Sequence, residues 1–165
     1  MEWVENDALF KKELRQGFKW QLHVAKYFKD LGFDVDVPKL RIRESVNEIS
    51  EFSDEPDIVW CGRIFEVKSR KVSFTCPADF PYQTIMVDTV SGWKAKEHKP
   101  TEYICVSTLT GAIICLGGET QPLWTEREAF DYTRKIRDMF YEADKSLWMP
   151  VDIMVRQMEC FGRGK

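Results

Sequence analysis

Glu55-Pro56-Asp57-Ile58-Val59-Trp60-Cys61-Gly62-Arg63-Ile64-Phe65-Glu66-Val67-Lys68-Ser69 is the stretch on which the reading of this chain turns. Apolar residues stand on both sides of Cys61-Gly62, where glycine permits the tight reversal of a hairpin. We read strands over Asp57–Cys61 and Arg63–Ser69, joined at Gly62. A hairpin turning there sets Asp57 opposite Glu66, with cross-strand side chains about 5 Å apart at Cβ. Side chains alternate along a strand, so Glu66 and Lys68 share a face while Phe65 and Val67 point to the other. Three ionisable groups therefore converge on one patch beside apolar strand residues.

Two carboxylates held that close repel unless something cationic sits between them. Oxygen ligands from Asp and Glu suit a hard cation, and magnesium typically takes one or two carboxylates while keeping water and substrate phosphate. Lys68 is placed to orient or deprotonate a water, or to neutralise charge building on a phosphate. Metal-assisted phosphodiester hydrolysis uses all three parts. On charge alone, the same residues also read as a surface salt-bridge trio on an edge hairpin.

Working outward, residues from Ala8 to Leu31 read as a helix, with Leu14, Phe18, Leu22, Ala25 and Phe28 at spacings of three and four. Gly17 is expected to bend or weaken its first turns, and Gly32 follows where a helix-ending glycine belongs. Phe33–Val37 alternates like a half-buried strand ending at Pro38. The polar, acidic stretch from Arg41 to Glu55 reads as a loop. Val87–Lys96 reads as a short helix, and Tyr103–Ser107 with Ala112–Leu116 as a second hairpin through Thr110-Gly111. Thr125 with Glu128 makes a capping box. It is expected to open a helix carrying Ala129, Tyr132, Ile136, Met139, Phe140 and Ala143 on one face. That order predicts an α/β domain, a mixed central β-sheet flanked by helices. With no repeat or linker, residues 1–165 form one domain.

Composition limits the classes. The chain has 165 residues, 44% apolar and 31% charged, ordinary for a globular domain with a real core. No apolar run reaches the length of a membrane span. The first residues are acidic where a secretory signal is basic, so a cytoplasmic location is expected. Five cysteines, an odd number with no CxxC pair, read as reduced and mostly buried thiols rather than a zinc site. A net charge of −3 and a pI near 5.5 argue against non-specific coating of nucleic acid, so local charge must decide. Lys94, Lys96 and Lys99 beside Trp93, together with Arg70 and Lys71, are the candidate phosphate contacts. His98 reads as a surface residue, Trp60 as core, and Phe161–Lys165 as a flexible basic tail.

Pro56-Asp57 and Glu66-Val67-Lys68 resemble the two half-motifs of the PD-(D/E)XK nuclease superfamily. The amphipathic helix, strand and loop ahead of them follow that superfamily's order. Leu31-Gly32-Phe33-Asp34-Val35 is similar to the helix-to-strand junction of archaeal Holliday-junction resolvases and Mrr-like restriction nucleases. The resemblance covers residues 14 to 70 well, and the remainder only by order of elements. It implies a restriction-endonuclease-like core and a Mg²⁺- or Mn²⁺-dependent deoxyribonuclease of repair, recombination, replication or restriction. Asp57, Glu66 and the Val67 carbonyl would hold the metal, and Lys68 would assist the attacking water. DNA is the implied partner, and resolvases are dimers, which makes a homodimer one expected assembly. Many relatives carry a helix glutamate where this chain has Gln21; glutamine ligates metal weakly but hydrogen-bonds well. Glu13 is a candidate substitute. Because of Gln21 and the acidic charge, a nuclease-fold protein that binds nucleic acid or protein without cutting stands beside the enzyme as an alternative; a structural subunit using the fold as scaffold is a third.

Overall fold

The computed structural model describes residues 2–38 and 56–163. The acidic stretch Arg41–Glu55 lies outside the described residues, as does the Glu13 side chain. Helix α1 (Glu2–Asp30) starts before Ala8 and runs unbroken through Gly17. Its inward face buries Val24, Ala25 and Phe28, which recur at spacings of one, three and four. Gly32, at φ 92°, closes it. The Gly32 N–H donates to the Lys29 carbonyl and the Phe33 N–H to that of Phe28, so the last turn's orphan carbonyls are satisfied. The strand expected over Phe33–Val37 shrinks to one antiparallel bridge, Asp36 with Val59.

Next come β1 (Ile58–Trp60), β2 (Arg63–Arg70), β3 (Thr84–Thr89) and α2 (Val90–Ala95). They are followed by β4 (Glu102–Ser107), β5 (Ile113–Gly117), β6 (Thr125–Asp131) and β7 (Ile136–Asp144). The chain ends in β8 (Met149–Pro150) and α3 (Val151–Arg163). Among the described residues they form a mixed five-stranded sheet, order β1-β2-β4-β5-β8, and an antiparallel sheet, β3-β7-β6. Strand β2 runs parallel to β4 and antiparallel to β1. A parallel neighbour requires a crossover, which β3 and α2 supply.

Alternation along the central strands gives the five-stranded sheet two dry faces. Phe65, Ile104, Val106, Ile113 and Cys115 pack with α1 and with Met154 and Met158 of α3. Tyr103, Cys105, Ile114 and Leu116 pack with Ile85, Val87, Tyr141 and Ala143 of the smaller sheet. Helices cover the first face, while the second is covered mainly by strands. Burial of each such large side chain contributes about 1.5–3 kcal/mol, so β4 and β5 are anchored from both sides and β2 from the helix side.

Further expectations need correction. The helix expected from Thr125 is the β6–β7 hairpin. The Asp131 carboxylate accepts from the Thr133 and Arg134 amides and Lys135 takes φ 55°, so the chain reverses where a helix would continue. The helix expected over Val87–Lys96 is strand as far as Thr89, whose hydroxyl caps α2 by accepting from the Gly92 N–H at 3.0 Å. The expected tail is helical through Arg163, and the Phe161 ring lies 5.7 Å from that of Trp60. Among the cysteines, all five are free but only Cys105 and Cys115 are buried. No helix among the described residues is long and apolar enough to cross a membrane.

Glu102, at the start of β4, is 3% exposed and pairs with Arg63. Its Oε2 has no hydrogen-bond partner among the described residues. Burial pushes this carboxyl up to about 7, with Arg63 pulling down and Glu119 adding to the rise. A carboxyl raised on folding stabilises fully below its unfolded value, and that stability is lost as pH rises through the folded one. Urea midpoints measured from pH 4.5 to 8 should therefore fall more steeply for the native chain than for Glu102→Gln. Parallel pH profiles would show that Glu102 contributes nothing.

Candidate functional site

The site begins at the hairpin turn. Cys61 and Gly62 take φ 47° and 76°, the two left-handed residues of a type I′ reversal, whose twist suits antiparallel strands. The register then pairs Trp60 with Arg63, Val59 with Ile64 and Ile58 with Phe65; one step further sets Asp57 against Glu66. Asp57 is fastened twice. Its Oδ2 accepts from the Val67 backbone N–H at 2.7 Å, and its backbone carbonyl accepts from Gln21 Nε2. Helix α1 thus reaches the site through Gln21, by way of the main chain that carries Asp57.

Glu66 and Lys68 leave β2 on the face opposite Phe65 and Val67, toward the smaller sheet. There two groups meet them that the motif does not contain. Asp88 comes from β3, where Val87 and Asp88 together stand against one residue of β7: the register jumps from Met86–Glu142 to Asp88–Tyr141. Such a bulge re-aims the side chain that follows it, and Asp88 is buried with Val87 instead of alternating with it. Lys96 follows the short helix α2, which carries the chain back over β2.

Together these four side chains close a ring of alternating charge. Lys68 Nζ donates to Glu66 Oε1 at 2.9 Å and lies 3.7 Å from Asp88 Oδ1. Lys96 Nζ lies 2.9 Å from Asp88 Oδ2 and 3.9 Å from Glu66 Oε1. The Tyr103 hydroxyl donates to Asp88 Oδ2 at 3.0 Å. Side-chain exposures of 14% for Glu66, 28% for Lys68, 7% for Asp88 and 15% for Lys96 make this ring largely buried.

Asp57 sits beside this ring with the least compensation. Burial pushes its carboxyl up to about 7 and the Glu66 charge adds to the rise, against the Val67 N–H, Lys68 and Lys96. Burial acts on Lys68 in the opposite sense, but Glu66, Asp88 and Asp57 outweigh it and hold the ammonium above its ordinary range. Burial also pushes Asp88 up, yet Lys68, Lys96 and the Tyr103 hydroxyl bring it below the usual carboxylate value. Burial raises Tyr103 itself, with Asp88 and Glu66 adding, so it remains a donor.

Two carboxyl groups, Asp57 and Glu66, retain oxygens that make no hydrogen bond among the described residues. No cluster of three or more His, Cys, Asp or Glu side chains among the described residues is arranged to hold an ion by itself. Two carboxylates suit a cation that fills its remaining positions with water and phosphate oxygen.

The predicted phosphate contacts scatter. Lys96 belongs to the charge ring. Lys99 donates to the Trp93 carbonyl at 2.7 Å and lies 4.6 Å over the Trp93 ring, closing the end of α2. Arg70 donates to the Met86 carbonyl at 3.2 Å, while Lys71 and Lys94 are exposed, as is His98. Sequence reasoning missed Asp88 and Tyr103. Asp88 sat in a segment read as helix, and Tyr103 reads as an ordinary core aromatic until its register with Glu66 is known.

Removing Asp88 leaves Lys68 and Lys96, both largely buried, with Glu66 as the one anion of the ring between them. Asp88→Ala should cost about 3 kcal/mol in urea unfolding, and Lys71→Ala almost nothing; equal costs would mean that the ring does not hold the site together. No protein-family model matches the chain, and neither does any curated protein or solved structure.

Proposed function

We propose that the chain is a Mg²⁺- or Mn²⁺-dependent nuclease that hydrolyses DNA phosphodiester bonds on a restriction-endonuclease-like core. One observation carries this reading: Asp57 and Glu66 face each other with unused oxygens, beside a lysine ammonium fixed by Glu66 at 2.9 Å. The order of elements supports the core assignment. A bridge at Asp36 is followed by the β1–β2 hairpin, a crossover and the parallel strand β4.

The donor set fits a hard cation, because Asp57 and Glu66 each keep a carboxyl oxygen with no hydrogen-bond partner among the described residues; burial, with the Glu66 charge adding, raises the Asp57 carboxyl. Asp57 and Glu66, with the Val67 carbonyl, would hold the ion. When bound, it supplies positive charge against the phosphate and acidifies water. The chain's own groups do the rest. Lys68 sets its ammonium where negative charge builds on the phosphate as water adds and the ester oxygen leaves. Asp88, itself held by Lys96, keeps Lys68 from swinging away. Gln21 fixes the main chain at Asp57, a positioning role that needs a donor rather than a carboxylate.

A second reading, a nuclease-fold chain that binds nucleic acid or a protein partner without cutting, is favoured by one feature. Each charge of the ring is already met by two others, so the four groups satisfy one another with nothing bound. Linear, nicked, branched and single-stranded DNA incubated with Mg²⁺ or Mn²⁺ separates the two readings. The enzyme reading expects cleavage that EDTA stops and that Lys68→Ala reduces at least a hundredfold. Calorimetry should show Mn²⁺ binding that Asp57→Asn abolishes. Cutting that survives in Lys68→Ala, or Mn²⁺ binding indifferent to Asp57, would remove the assignment.

A further inference from the structure

Beyond Lys68, strand β2 places one more cation on the same face. Arg70 follows two residues on, roughly 7 Å along the strand, a step close to one repeat of a nucleic-acid backbone. Strand β3 keeps company with it: Asp88 meets Lys68, and the Met86 carbonyl accepts from Arg70 Nη2 at 3.2 Å. Arg70 lines a cleft of about 470 Å³ with Phe80, Tyr82, Met86, Arg127 and Glu142, a volume within the roughly 300–1,000 Å³ of small-ligand sites.

The cleft is fitted for a phosphate and a flat ring together. Arg127 Nε lies 2.7 Å from Glu142 Oε1, and Glu142 Oε2 accepts from the Thr84 hydroxyl at 3.2 Å, so that guanidinium is fixed. Arg70 meets no carboxylate among the described residues, which leaves the cleft with a net positive charge. Tyr82 is 64% exposed, propped at 6.2 Å edge-on against the buried Phe80 ring. An exposed aromatic of this kind is a stacking platform for a base, and guanidinium groups beside it hold the adjoining phosphate. Bases inside a duplex are already stacked and paired; only an unpaired nucleotide can turn its face to Tyr82.

We infer that this cleft binds one nucleotide of single-stranded DNA, one backbone repeat from the Asp57–Glu66–Lys68 centre, and so makes an unpaired strand the preferred substrate. The preference for cutting rests on the proposed nuclease; the binding itself does not.

Fluorescence anisotropy in EDTA tests the binding without cleavage, using a short labelled oligothymidylate and a blunt duplex of equal length. The native chain should bind the single strand at least several-fold more tightly. Tyr82→Ala should lose about tenfold of that affinity and Tyr82→Phe, which keeps the ring, should lose little. Arg70→Gln should weaken single-strand binding and flatten its salt dependence. Equal affinity for both DNAs, or a Tyr82→Ala protein that binds as the native chain does, would overturn the inference. The two proposals fail separately. Single-strand binding through Tyr82 with no cutting in Mg²⁺ or Mn²⁺ would leave the cleft and remove the nuclease; duplex cutting indifferent to Tyr82→Ala would do the reverse.

Discussion

Side chains leave a strand alternately to its two faces, and in β2 one face is apolar while the other is ionic. Phe65 and Val67 join the core under α1, whereas Glu66, Lys68 and Arg70 project toward the smaller sheet. Neither face could be satisfied by a strand at an exposed edge. The apolar face needs a helix layer, and the ionic face needs partners that are themselves held still. Pairing with β1 on one side and β4 on the other fixes the register of β2. A slip of one residue would drive Glu66 and Lys68 into the helix-side core. The positions of Glu66, Lys68 and Arg70 follow from that single register.

Charge balance sets the character of what is gathered there. Asp57, Glu66 and Asp88 face Lys68 and Lys96, three carboxyl groups against two ammonium groups. The ring of four balances itself, and the surplus falls on Asp57. A protein can relieve such a surplus by keeping the carboxyl protonated or by admitting a cation. These outcomes are linked, since a cation binding to Asp57 displaces its proton. Gln21 fits this arrangement. A glutamate in its place would add a further carboxylate and would lack the N–H that the Asp57 carbonyl now accepts.

Legibility in the sequence followed the range of the interaction concerned. The β1–β2 hairpin and the end of α1 are local: Gly62 and Gly32 stand at positive φ, and the residues flanking them alternate or recur as their elements demand. Asp88 was not legible, because a bulge breaks alternation at Val87 and turns inward a residue that strict alternation would turn out. Lys96 stood out for the density of lysines around it, but its role is set by Asp88, eight residues earlier. The β6–β7 hairpin was misread because Ala129, Tyr132, Ile136, Met139, Phe140 and Ala143 fall at helical spacings by coincidence. Asp131, a turn former placed mid-way through that run, was the contrary signal. Helix α3 went unread although Val151, Met154, Val155 and Met158 carry the same periodicity that identified α1.

Stability alone does not account for the ionic face. Burying charge costs several kcal/mol per group in desolvation, and well-packed apolar residues of similar volume serve a fold as well or better. The core beside the ring is already apolar: Tyr103, Val87 and Ile85 are buried in one cluster on this side of the sheet. A sheet face lined by valine and leucine at positions 66, 68 and 88 would pack there without any bulge in β3, any lysine carried over by α2, or any tether from Gln21. Here several irregularities serve the same small group of charges, and one carboxyl beside it, Asp57, has the least compensation. Costs of this kind concentrate where a protein does chemistry or binds. That is the ground on which the proposed site at Asp57, Glu66 and Lys68 rests.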